Sequence, residues 1–249
     1  MVRARRSHLA LATFFRSADE YTLIDRNLRR DRAALRSGWQ TTTARTYGYS
    51  ISPEDGIVAG ATGEFVRSAL GATADATTIT GDLRFYAHGL GRHHVVAGRL
   101  AGGASRGDQI AGRTFVLGGS GPDASVLDFG SGAISVLRGF PSNSFAGSHV
   151  ALAQLEYRFP LVRPQRGIGT WPLFLHTVHA SAFGDFGHAW TSRFTGADMK
   201  SSFGGELSAN VVAGYYFPFT LSVGAALGHD GSGTLPDRNT FYVRLGRSF

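Results

Sequence analysis

The sequence predicts an all-β chain, an antiparallel transmembrane β-barrel of about ten strands, and three observations predict it. Apolar residues recur at every second position through most of the chain, the spacing of a strand with one apolar face. Several of these stretches are ten residues or longer. That exceeds the ~5–6 residues usual in soluble sheets and approaches the ~9–11 that cross a bilayer. The connections also differ in kind: residues 89–92 and the 217–218 junction are tight, whereas 105–147 is a long Gly/Ser-rich excursion. Short turns at one end and long loops at the other are the layout of an outer-membrane barrel.

In chain order, strands are predicted near residues 8–17, 37–51, 57–69, 77–88 and 93–104, and after the long loop near 148–160, 172–188, 202–215, 217–228 and 240–249. The stretch 77–88 sets Ile79, Leu83, Phe85 and Ala87 against Thr78, Thr80, Asp82, Arg84, Tyr86 and His88. In 148–160, Ala151, Ala153, Leu155, Tyr157 and Phe159 face away from Gln154, Glu156 and Arg158. From Phe217, the residues Phe219, Leu221, Val223, Ala225 and Leu227 form one apolar face opposite Thr220, Ser222, Gly224 and Gly228. The last stretch opposes Phe241, Val243, Leu245 and Phe249 to Tyr242, Arg244, Gly246 and Ser248. A soluble β-sandwich also alternates, but its solvent face is normally rich in Lys, Glu and Asp. Here the non-apolar faces hold Gly, Ser, Thr and Arg, and only 17% of the chain is charged.

Composition narrows the alternatives. Glycine makes up 34 of 249 residues, about 14% and twice the ~7% average. There is no Cys, which excludes a disulfide framework, a thiolate metal site and a cysteine nucleophile. No run of 18 apolar residues exists, so no helical membrane span is expected. The formal charge is +7, yet the cations are spread from Arg3 to Arg247 instead of clustering, which argues against a nucleic-acid partner. Residues 1–15 loosely mimic a signal peptide, but the apolar part is short and Arg16 follows it without a small-residue cleavage site. The motifs GxSxG, GxxxxGKS/T and HExxH are missing, and His93 and His94 are adjacent and so point to opposite strand faces. Neither catalysis, nor a cofactor, nor a metal is expected.

Four features occur in order. The long loop carries Leu137, Arg138, Gly139 and Phe140; the strand after it contains Glu156, Arg158 and Pro160; the next ends Phe183-Gly184-Asp185-Phe186-Gly187; and the chain closes on Phe241-Tyr-Val-Arg-Leu-Gly-Arg-Ser-Phe249. Together, over roughly residues 37–249, they resemble the C-terminal barrel of the bacterial surface antigen superfamily, which includes the assembly factor BamA, TamA and FhaC-like two-partner-secretion transporters. The resemblance implies that the loop tucks into the lumen, where Arg138 meets Asp185 and Glu156. Strand parity independently places both acids on the inward face. The terminal residues Phe241, Val243, Leu245, Gly246 and Phe249 resemble the family's assembly signal.

Such barrels have sixteen strands preceded by periplasmic POTRA domains. The resemblance therefore implies that residues 1–249 are a single barrel domain, the C-terminal part of a larger barrel, without POTRA domains or the first strands. Its implied location is the bacterial outer membrane, with lipid as a partner. Its implied function is outer-membrane protein insertion and assembly, or polypeptide translocation, acting on a client barrel or a secreted polypeptide. The alternative is a passive pore, or an anchor for a larger periplasmic or exported domain.

Overall fold

The computed structural model describes residues 7–23, 26–108, 111–121, 125–130, 134–214, 216–233 and 235–247, with the side chains of 19–30 and 247 left aside. Its strands are β1 (Ser7–Leu23), β2 (Arg26–Thr42), β3 (Gly56–Val66), β4 (Ala76–His88), β5 (Val95–Gly107), β6 (Phe115–Leu117) and β7 (Phe145–Gly147). They continue with β8 (His149–Val162), β9 (Arg166–Gly167), β10 (Leu173–Trp190), β11 (Lys200–Ala213), β12 (Phe217–Asp230) and β13 (Arg238–Arg247). The ten long strands form one antiparallel meander in the order β1-β2-β3-β4-β5-β8-β10-β11-β12-β13, with β9 beside β10. Among the described residues, β1 and β13 each pair on one side only, so the sheet does not close into a barrel.

The first hairpin corrects the predicted strands. Instead of strands at 8–17 and 37–51, β1 and β2 pair along their whole length, from Ser7 opposite Thr42 to Leu23 opposite Arg26. The charges of Asp19, Glu20, Arg29, Arg30, Asp31 and Arg32 break the apolar alternation and hide this extension in the sequence. Residues 43–55 are a folded loop, held by an Arg45–Asp55 bridge and by the Tyr47 N–H donating to Ser50 Oγ. This loop shares its end of the sheet with the tight 89–94 connection, and the β1–β2 hairpin joins, from Leu23 to Arg26, at the end of the long loop. The expected division into a short-turn end and a long-loop end is therefore incomplete. The remaining predicted strands shift by a few residues: 57–69 stops at Val66 before the single turn Ser68–Leu70, and 93–104 starts at Val95 and runs on to Gly107.

The sheet curls strongly. Arg84 on β4 and Arg244 on β13 border one cavity of about 40 Å³. Six interstrand steps of ~4.8 Å would hold them roughly 29 Å apart in a flat sheet. Only a trough brings them together. Its loop-facing side is polar: Thr62, Thr80, Asp82, Arg99, Asp185, Ser202, Glu206 and Ser222 are all buried. Its outer side is apolar and open, with Ile79, Leu100, Leu155, Phe203, Leu207 and Val223 between 50% and 60% exposed and Phe241 at 84%. This distribution inverts that of a water-soluble domain. The total accessible surface, 14214 Å², exceeds the ~10,700 Å² expected of a compact protein of this mass.

Candidate functional site

The trough is filled by the described residues of the segment that connects β5 to β8, 111–121, 125–130 and 134–148. Strands β6 and β7 pair as a small ribbon, and an isolated bridge joins Gly119 to Leu137. Apolar side chains of this segment (Phe115, Leu117, Ile134, Leu137 and Phe140) pack with Val150, Leu152, Ala101 and Ala189 of the wall. This is the largest apolar cluster of buried residues described, and it anchors the loop. Phe140 meets Phe145 edge to face at 5.1 Å.

Arg138 follows directly on buried Leu137 and is itself 2% exposed. Its Nε donates to Asp185 Oδ2 at 2.8 Å and its Nη2 to Oδ1 at 2.6 Å, a two-pronged pairing. Nη1 donates to Glu156 Oε1, and the Arg138 backbone N–H adds a 3.2 Å bond to Asp185 Oδ2. The guanidinium carbon also stands 3.6 Å from the centre of the Phe183 ring, within range of cation–π attraction. Glu156 is shared, since Arg158 Nε donates to its other oxygen at 2.6 Å. Two strands, β8 and β10, thus converge on one loop arginine.

Gly139 makes the approach possible. Its φ is +88°, a left-handed conformation, and a Cβ there would lie 3.1 Å from the Gly228 backbone. Reciprocally, a Cβ on Gly228 would sit 2.6 Å from the Gly139 carbonyl oxygen. Thr240 of β13 donates its hydroxyl to that same oxygen at 3.0 Å. The loop tip is therefore bound to β8, β10, β12 and β13 at once.

The inner face holds further ion pairs that sequence reasoning did not single out. Glu64 on β3, 1% exposed, accepts from Arg113 Nη2 at 2.7 Å and from Arg32 and Arg36 at 3.1 Å or slightly more. Asp82 accepts from both Arg84 and Arg99, at 3.0 and 2.7 Å. Glu206 accepts from Arg244 at 2.6 Å, from Tyr242 Oη at 3.0 Å and from Ser208 at 3.1 Å. Lys200 pairs with Asp230 at 2.6 Å. Parity already gave the signal for Asp82 and Arg84, which alternate against Ile79 and Leu83; nothing local marks Arg113, which reaches Glu64 across 49 residues of chain.

At the opposite end from the long loop, residues 43–55 cover the trough. Buried Glu54 accepts from Ser50 Oγ at 2.8 Å and lies 2.7 Å from His93 Nδ1, with His88 Nε2 at 3.8 Å. Burial would push its carboxyl up, but the His93 and Ser50 hydrogen bonds and the electrostatic attraction of His93 and His88 outweigh it and hold Glu54 below the usual carboxylate range.

The terminal-strand residues lie on the free edge. Phe241, Val243 and Leu245 point outward and are 84%, 69% and 66% exposed, whereas Gly246 faces the trough opposite Thr220. Phe249 lies outside the described residues. On the side of the 43–55 loop, a second cavity of about 290 Å³ is bordered by Ile51, Arg84, Arg158, Arg244, His179 and several hydroxyl groups. No protein-family model matches the chain, and no curated protein matches it.

Proposed function

We propose that this chain forms part of the wall of an outer-membrane β-barrel of the surface-antigen kind, and that it serves insertion of other barrels or passage of a polypeptide. One observation carries the membrane placement: along the described side chains of β2 to β13 the exposed face is largely apolar and the sheltered face holds the buried ion pairs and hydroxyls. In water such a sheet would expose its apolar side at a cost of ~25 cal/mol per Å², whereas lipid removes that cost. The free edges of β1 and β13 support the wider-barrel reading. Unpaired backbone groups are costly in lipid, so further strands, as in the sixteen-strand arrangement, would complete the wall. The same free edge supports action on a client, because an incoming strand can pair along it.

The loop supports a regulated barrel over a permanently open pore, since it occupies the trough with a buried apolar cluster and a three-way ion pair. The membrane reading is tested by Leu207→Arg on the outer face of β11. An arginine near mid-strand is expected to lower stability by about 2–4 kcal/mol in a bilayer. A variant as stable as the parent, or a chain that folds and stays monomeric without detergent, would refute it. The assembly reading is tested by depleting the protein in cells. A fall in the folded forms of other outer-membrane barrels supports it, and unchanged levels would leave the anchor or pore.

A further inference from the structure

The end of the sheet that carries residues 43–55 and 89–94 presents large apolar side chains where strand connections normally use Gly, Pro, Asn, Asp and Ser. In the β4–β5 turn the Leu90 N–H donates to Tyr157 Oη at 3.2 Å and the Gly89 N–H to the His94 carbonyl at 2.8 Å. Between β9 and β10 the Trp171 N–H donates to the Ile168 carbonyl at 3.1 Å and the Ile168 N–H to the Leu173 carbonyl at 2.9 Å. Tyr216 and Phe217 stand at the start of β12. Strand register places all of these at one end: Val95 of β5 pairs with Arg158 of β8, and Ala213 of β11 pairs with Leu173 of β10 and Phe217 of β12. Leu90, Trp171, Tyr216 and Phe217 are from 71% to 99% exposed, so fixed backbones hold apolar groups outward, a costly arrangement in water.

Charge at this end is one-sided. The sequence has no Asp or Glu in 83–107, 157–184 or 207–229, the three stretches that run to this end and back. They bring Arg92 in the β4–β5 turn, Arg163 after β8 and Arg166 on β9, and Arg92 and Arg166 are exposed. Two carboxylates reach this end from the 43–55 loop, and both are engaged. Glu54 is buried beside His93, and Asp55 lies 3.7 Å from Arg45 and accepts from Tyr47 Oη at 3.2 Å. The connections at the other end carry Asp75, Asp108, Asp128, Asp198 and Asp237. Charge therefore divides the sheet along its strands.

Rings with an apolar body and a polar edge settle where hydrocarbon meets headgroups, and arginines beside them pair with anionic headgroups. The collar is also continuous with the outer apolar face: along β12 Phe217 shares its exposed side with Leu221, Val223 and Leu227, and along β8 Leu161 shares it with Leu155. We infer that this end of the wall docks on the headgroup layer of an anionic phospholipid leaflet, with Leu90, Trp171, Tyr216 and Phe217 at the edge of the hydrocarbon and Arg92 and Arg166 on the headgroups. The inference rests on the membrane reading and adds to it a lipid class and an orientation, the turn end at the anionic leaflet and the loop end away from it.

The test uses the full chain with Trp171 as its only tryptophan, through Trp39→Phe and Trp190→Phe, folded into phosphatidylcholine vesicles. One set contains bromine-labelled phosphatidylglycerol, and the other an equal fraction of bromine-labelled phosphatidylcholine. Flotation with the vesicles and heat-dependent gel mobility report insertion and folding separately from lipid preference. At low ionic strength the labelled phosphatidylglycerol should quench Trp171 the more strongly, with a preference of about fivefold for each arginine. Molar salt should abolish the difference. Arg92→Gln with Arg166→Gln should remove most of it, and Arg106→Gln, at the loop end, should not. Equal quenching by the two labelled lipids, or a difference that survives both arginine substitutions, would overturn the proposal while leaving the membrane reading in place. A chain that floats with Trp171 quenched by neither lipid would overturn it too, and would leave this end for a protein partner. A chain that does not float would overturn the membrane reading and this proposal with it. If the single-tryptophan chain does not fold, the comparison is made on the parent, whose three tryptophans are quenched together, and the presence or absence of a salt-sensitive difference decides.

Discussion

Arg138→Ala is the sharpest single perturbation of the loop. Asp185, 0% exposed, would keep only the 3.2 Å bond from the residue 138 backbone N–H, while Glu156 would retain Arg158. The damage is therefore concentrated on one carboxylate left charged in a dry place. Breaking a buried pair in this way costs about 3–5 kcal/mol, more than the pair itself contributes over an apolar substitute. With a denaturant slope of ~2–3 kcal/mol per molar, the urea midpoint should fall by roughly 1–2 M. Arg138→Lys keeps the charge but loses the two-pronged geometry, and should fall between parent and alanine variant. The double variant Arg138→Met, Asp185→Leu removes both charges and should recover most of the loss, because Glu156 still has its second arginine. The assay pairs urea unfolding, followed by heat-dependent gel mobility, with protease access to residues 108–148. An alanine variant within ~0.5 kcal/mol of the parent, with the loop still protected, would refute the reasoning.

Other expectations follow from the same geometry. Because the Glu54 carboxyl is held below its ordinary range, its contribution to closing residues 43–55 is complete above that range and lost as pH falls through the lowered value. Hydrogen exchange of 43–55 should rise on acidification below about pH 4, and Glu54→Gln should show the fast exchange already at neutral pH. Gly228→Val would drive a side chain into the Gly139 carbonyl oxygen, 2.6 Å from its Cβ, and should cost about 1–3 kcal/mol while exposing the loop to protease. Tyr242→Phe removes one donor to buried Glu206, which keeps Arg244 and Ser208; a loss of about 1.5–3 kcal/mol in urea unfolding is expected, with loop protection unchanged.

How much of this was legible depended on whether the relevant force acts between neighbours in sequence. Strands β4, β8 and β12 could be read because apolar and polar or small residues alternate along them, so parity alone placed Asp82, Glu156 and Ser222 on the inner face. The β1–β2 extension could not, since its residues 19–32 are dominated by charges, and their strand state is fixed by backbone pairing across the hairpin. The Arg138 group was accessible through a motif resemblance together with parity. The Glu64 group was not, because Arg32, Arg36 and Arg113 come from two distant segments and no local pattern distinguishes them from the other arginines. The cavity was invisible for the same reason: it exists only because the sheet curls and brings β4 opposite β13.

Were the loop to leave the trough in the proposed function, the arrangement of charge would set the cost. Apolar cores are released only by exposing their area to water, a cost that no local signal adjusts. The loop tip is held differently. Glu156 is bound by Arg138 from the loop and by Arg158 from the wall, so when Arg138 leaves, one of its two carboxylates already has a replacement cation in place. Only Asp185 must be compensated. It lies one strand from β11, where buried Ser202 sits opposite it with an unpartnered Oγ able to turn a donor toward it. A chain with 24 arginines among its 25 Lys and Arg residues suits such exchange, because each guanidinium can serve two acceptors and change partners without becoming bare. The loop is therefore strongly placed, but its electrostatic hold is built from shared acceptors, and that sharing lowers the cost of moving it below the cost of breaking an isolated buried pair.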